Sequence, residues 1–168
     1  MKKKIGIFFN PREKNSMIIR NEFYNAAKAF GLEVIDLRSP PANKMLQNNL
    51  QKLINKSIQV DAVYLPADSF IVSNAELIAS QLKRAKIVSI GATRKFIEHG
   101  VLMGFVINYY QLGKAAAKIV DRHQKGEMFQ TIPIEGGKNP YLVINKTTCD
   151  LLNIPISDAV LKEAILID

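Results

Sequence analysis

The sequence predicts a doubly wound α/β domain built on a parallel sheet. Short β-rich runs alternate with amphipathic helical segments along nearly the whole chain. The β-rich runs are continuously apolar rather than alternating, as strands covered on both faces are. Proline and glycine punctuate the junctions between the segments.

The elements follow in order. Lys4 to Phe9 reads as the first strand, closed by Asn10-Pro11. A helix is predicted from Asn15, with Ile19, Phe23, Ala26, Ala27 and Phe30 on one face, and Gly31 stops it in the C′ manner. Leu32 to Leu37 is a second strand, broken by Pro40-Pro41. Met45, Leu46, Leu50, Leu53 and Ile54 give a second amphipathic helix, and Asp61 to Leu65 a third strand. Ser73-Asn74-Ala75-Glu76 has the form of a capping box, opening a helix whose buried stripe is Ala75, Ile78, Ala79 and Leu82. Lys86 to Ile90 is a fourth strand and Thr93 to His99 a short helix ending at Gly100. Leu102 to Ile107 is a fifth strand. Leu112, Ala115, Ala116, Ile119 and His123 are in phase on a helix stopped by Gly126. Two β-like runs, Thr131 to Ile134 and Tyr141 to Ile144, close the pattern.

Composition bounds the function. With 168 residues the chain is read as a single domain over 1–168, of ordinary globular composition, 48% apolar and 23% charged. The 23 Lys and Arg against 15 Asp and Glu give a net charge of +8. The cations are scattered rather than concentrated, apart from Lys2-Lys3-Lys4, so no nucleic-acid partner is expected. An anionic membrane or wall polymer remains a weak partner compatible with that charge. Cys149 is the one cysteine, which excludes an internal disulfide, and with no activating neighbour in sequence it reads as a structural thiol. The apolar stretch Ile5 to Phe9 behind the N-terminal lysines is too short for an export core. The expectation is either a cytoplasmic protein or a segment further upstream.

Ligands of open α/β sheets bind beyond the carboxyl ends of the strands. That rule selects Asn10–Ser16, Pro66–Ser69, Gly91–Arg94 and Asn108–Tyr110, and within them Asn10, Asn15, Ser16, Asp68, Ser69, Thr93 and Asn108 as ligand-binding residues. Backbone amides at the start of the first helix would favour a carboxylate or phosphate oxygen. Each cluster has a plainer reading. Asn15, Ser16 and Thr93 serve equally as helix caps, Asp68 as a turn residue, and Tyr109 and Tyr110 as packing residues. Enzyme signatures are absent: no Gly-rich phosphate loop, no Gly-x-Ser-x-Gly elbow, and no Cys/His pair at metal spacing. Gly136-Gly137-Lys138 lacks the strand and helix that would make it a nucleotide loop. Neither catalysis, a cofactor nor a metal is expected.

Three stretches together carry a resemblance. They are Asn10-Pro11 with Asn15-Ser16, then Val60-Asp61-Ala62-Val63-Tyr64-Leu65-Pro66-Ala67-Asp68-Ser69, then Gly104-Phe105-Val106-Ile107-Asn108-Tyr109-Tyr110-Gln111-Leu112-Gly113. With the ending Tyr141-Leu142-Val143-Ile144-Asn145-Lys146-Thr147-Thr148 and Leu152-Asn153-Ile154-Pro155-Ile156, they resemble the substrate-binding proteins of a family of ABC importers. The resemblance implies the type I periplasmic-binding-protein fold, two lobes and a ligand in the cleft between them. It places this chain as the carboxyl-terminal lobe, with 108–128 and the tail assigned to the hinge or to the other lobe.

The same resemblance implies a small polar ligand such as an amino acid, an ABC permease as partner, and a periplasmic or extracellular, membrane-anchored location. The alternative is a ligand-sensing regulatory module of the same fold, acting on a signalling partner. One departure is clear. After the fourth strand the family commonly carries acidic residues, and here stand Thr93-Arg94-Lys95. If that acid anchors an amino group, a neutral or anionic ligand fits better. Without its companion lobe the isolated chain is expected to self-associate.

Overall fold

The computed structural model describes residues 3–41, 43–133 and 140–168. Seven strands form one sheet: β1 (Lys4–Phe9), β2 (Glu33–Arg38), β3 (Ala62–Leu65), β4 (Val88–Gly91), β5 (Met103–Val106), β6 (Tyr141–Asn145) and β7 (Ile165–Ile167), in the spatial order β2-β1-β3-β4-β5-β6-β7. The pairs from β2 to β5 are all parallel, as the alternating pattern requires. The sheet is not wholly parallel, however. β6 runs antiparallel to β5, placing Tyr141 beside Val106, and β7 runs parallel to β6.

The helices are α1 (Lys14–Ala29), α2 (Asn43–Ile54), α3 (Ser69–Ser73), α4 (Ala75–Arg84), α5 (Arg94–Glu98), α6 (Tyr109–Gln124), α7 (Lys146–Leu151) and α8 (Asp158–Glu163). The main core joins Phe8, Val63 and Leu65 of the sheet to Leu46, Leu50 and Leu53 of α2, Ile78, Ala79 and Leu82 of α4, and Phe96 and Ile97 of α5. A smaller core sets Leu102 and Ile144 against Cys149, with Ile154, Ile156 and Val160 packed on it. Burying such side chains contributes roughly 1.5–3 kcal/mol each.

Several local expectations are corrected. Ser73 does not open a helix: it ends α3, and its hydroxyl donates to the Phe70 carbonyl. Asn74 follows as the N-cap of α4 and makes no side-chain cap bond. The capping residue is Asp68, whose Oδ1 accepts from Ile71 N at 2.9 Å, so one predicted helix is two. The stripe Ala75, Ile78, Ala79 and Leu82 is buried as expected. Phe30, the C-cap of α1, is 80% exposed, and on the helix itself only Ser16 and Ala27 are buried. Gly31 does stop the helix, at φ +68. Of the predicted strand Thr131 to Ile134, Phe129–Thr131 is a 3-10 turn. Ile134 lies outside the described residues, as does Gly136-Gly137-Lys138. None of the described helices is long and apolar enough to cross a membrane.

α6 stands apart from this packing. No residue on it is buried. Leu112, Ala115 and Ile119 are only partly covered, and Ala116 is exposed. The apolar phase seen in the sequence is present, but the sheet does not absorb it.

Candidate functional site

Because β1, β3, β4 and β5 are parallel, the segments after them leave the same edge of the sheet. Asn10–Ser16, Pro66–Ser69, Gly91–Thr93 and Asn108 therefore share one rim. β6 enters from this rim, which adds Tyr141.

The first segment is shaped from within. Asn10 N donates to Ser16 Oγ at 3.0 Å, and Arg12 N donates to Asn10 Oδ1 at 2.9 Å. Asn10 and Ser16 are both buried, so they set the loop's shape. Glu13, not Asn15 or Ser16, is the N-cap position of α1, and its side chain makes no cap bond there. The first-turn amides at Lys14, Asn15 and Ser16 have no intrahelical acceptor and carry the positive end of the helix dipole.

Two contacts fasten this loop to the one after β3. Asn15 Nδ2 donates to the Ala67 carbonyl at 3.2 Å. The Glu13 carboxylate accepts from Ser69 N at 3.1 Å and from Ser69 Oγ at 3.3 Å. Glu13 was not among the residues selected from the sequence, because its partner lies in another loop and no local pattern marks it.

Asp68 is fully buried. Its Oδ1 caps α3, while its Oδ2 has no hydrogen-bond partner. On the neighbouring strand's loop, Thr93 occupies the N-cap position of α5 without a side-chain cap bond, and its Oγ1 is likewise shielded and unpartnered. Among the described residues these are the only such side-chain atoms. Buried polar atoms are nearly always paired, so the Asp68 oxygen marks where a donor is wanted and the Thr93 hydroxyl, which can donate or accept, where a polar partner is. Asn108 caps α6, accepting from Gln111 N at 3.1 Å. Tyr109 and Tyr110 are exposed, which removes the packing reading for them.

The electrostatics of the rim are mixed. Arg94 is held by Glu98 at 2.8 Å, and that bond, with a contribution from Tyr141, raises its already high pKa. Burial raises the pKa of the Tyr64 hydroxyl, whose ring stacks on Phe23 at 4.8 Å. No group of His, Cys, Asp and Glu among the described residues has the arrangement of a metal site.

A model of the family described as ABC transporter substrate binding protein matches residues 1–167. The chain belongs to that family. Members so named are substrate-binding proteins rather than enzymes, and solute binding is the family's common property. A "Tyrosine-binding protein" of Clostridioides difficile is 26% identical over 152 residues, 90% of this chain and 43% of that protein. Among solved structures, a conserved domain protein of Vibrio cholerae matches with TM-score 0.83 and 27% identity, over 98% of this chain and 54% of that one. A Streptococcus pneumoniae ABC domain in complex with L-Trp matches with TM-score 0.82 and 28% identity, over 99% of this chain and 55% of that one. The chain thus spans about half the length of the relatives it matches.

Proposed function

We propose that this chain forms one lobe of a solute-binding protein serving an ABC importer outside the cytoplasmic membrane, and that its strand-end rim is one wall of an amino-acid cleft. The observation that carries the reading is the unpartnered Asp68 Oδ2. A buried carboxylate oxygen without a donor is costly, and a ligand ammonium, admitted by a shift of the loop after β3, would supply the donor. The first-turn amides of α1, tied to the same loop by Glu13 and Asn15, suit the ligand's carboxylate. A zwitterion would span the two. The relatives named for tyrosine and crystallised with L-Trp support an amino acid.

The family's usual acid after β4 is replaced by Thr93-Arg94-Lys95, and Arg94 is already engaged by Glu98. Asp68 then takes over as the acceptor, with Thr93 on the loop after the neighbouring strand. Asn10 and Ser16 hold the loop, and Ser69 and Asn108 fix the starts of α3 and α6. A permease is the partner such a lobe serves. With only one wall, the 168-residue chain would bind weakly by itself.

The test is Asp68→Asn in the two-lobed protein, titrated calorimetrically with tyrosine and tryptophan. Asn keeps an oxygen for the Ile71 cap, so the melting temperature holds. Affinity falls at least tenfold, about 1.4 kcal/mol. Unchanged affinity for either amino acid that binds would overturn the assignment.

A further inference from the structure

The edge of the sheet opposite the rim carries a feature that the solute-binding reading does not use. α4 ends there, and α7, following the antiparallel β6, reaches the same edge. Between them lies an open hollow of about 560 Å³ lined by Ser80, Lys83, Arg84, Lys86, Thr147 and Leu151. Its three cations have no acidic partner among the described residues, since the ion pairs there use other cations. The nearby Asp150 is taken by Lys146 at 2.8 Å.

The helix dipole accounts for part of this charge. Lys83 and Arg84 lie in the last turn of α4, where cations are favoured. It does not account for Lys86. That residue sits past the helix end at φ +53, closing a Schellman turn in which Lys86 N bonds Lys83 O and Ile87 N bonds Leu82 O. Glycine is the usual occupant of such a site, and an L side chain there is strained. α2 also ends on a left-handed lysine, with a looser closure one residue longer. Lys56 has φ +61, Lys56 N bonds Leu53 O, and Ile58 N bonds Lys52 O. α2 and α4 pack together through the main core, so Lys52 and Lys56 extend the same basic edge. Two lysines thus stand where the backbone asks for glycine, both exposed and both without an ion pair.

We infer that this edge docks on the anionic headgroups of a phospholipid membrane. Its chemistry matches that partner. The cations are mostly lysines, mobile point charges on flexible stems that suit a fluid anionic surface better than one fixed phosphate. Leu151 stands exposed among them, and an apolar side chain flanked by cations suits the boundary between headgroups and acyl chains. Docking at this edge leaves the strand-end rim, on the other side of the sheet, open to ligand. The inference is independent of which solute the rim takes.

The test uses the 168-residue chain and co-sedimentation with phosphatidylcholine vesicles, with and without phosphatidylglycerol. The chain partitions onto the anionic vesicles only, and added salt releases it. Each cation near an anionic surface contributes about 1 kcal/mol, roughly a fivefold change in partition. Arg84→Gln with Lys86→Gly therefore lowers the partition about 25-fold. Lys86→Gly alone lowers it about fivefold while raising the melting temperature, a combination that a purely structural lysine would not show. Lys114→Gln with Lys118→Gln removes the same charge from the exposed body of α6 and leaves the partition near that of the parent. No sedimentation with anionic vesicles overturns the inference. So does an equal loss in the two double variants, which would mean net charge alone, or retention by soluble polyphosphate but not by vesicles.

Discussion

Glu13 and Ser69, 56 residues apart, are joined through one carboxylate, whose two oxygens share the Ser69 N–H and one of which also accepts from the Ser69 hydroxyl. The contact ties the loop after β1 to the start of α3, the helix that Asp68 caps. Glu13→Ala should cost about 1 kcal/mol in urea denaturation and weaken ligand binding by the two-lobed protein. Glu13→Gln, which keeps a carbonyl acceptor, should lose less of both. Equal stability and affinity in the alanine variant would show that the two loops hold their positions without this contact.

Gly104 lies in β5 with the Gly91 carbonyl oxygen of β4 directly over it, so that a Cβ would overlap that backbone atom. The obstacle is main chain and cannot rotate away. Gly104→Ala should therefore destabilise the protein by about 3 kcal/mol, at the upper end of overpacking costs. A thermal melt within a degree or so of the parent would show that the sheet gives way there more easily than close packing allows.

Burial raises the Cys149 pKa, and the Asp150 charge adds to the effect. A raised thiol pKa means less thiolate than a free cysteine carries at pH 8, and the thiolate is the reactive form. The thiol also donates to the Ile154 carbonyl at 3.0 Å. Alkylation by iodoacetamide should be slow in the folded chain and fast in guanidinium chloride. Equal rates in both states would mean that the second core opens readily.

α6 carries Leu112, Ala115 and Ile119 without a buried residue on the helix. Exposed apolar stripes of this kind mark interaction surfaces. The 168-residue chain should pair through α6 with twofold symmetry, and Ile119→Glu should return it to a monomer. Light scattering over a dilution series decides this. A monomeric parent at all concentrations would defeat the expectation.

The sequence by itself determined what depends on local pattern. Period and punctuation were enough for the order of β1 to β5, the α4 stripe of Ala75, Ile78, Ala79 and Leu82, and the stop at Gly31. Because parallel strands all end on one side, they were also enough to gather Asn10, Asp68, Thr93 and Asn108 on one rim. Tertiary structure decided what depends on partners distant in the chain. The direction of β6 follows from its pairing with β5, not from its own residues. Phe30 is in phase with the face of α1, yet no part of the sheet reaches it. Ser73 and Glu76 have the spacing of a capping box, but Asp68 starts a helix earlier and consumes Ser73 as its end. Glu13 meets Ser69 only because two strands separated by a helix, a strand and another helix lie side by side. A hydrogen bond depends on atoms within about 3 Å, and no periodicity along the chain records which atoms those are.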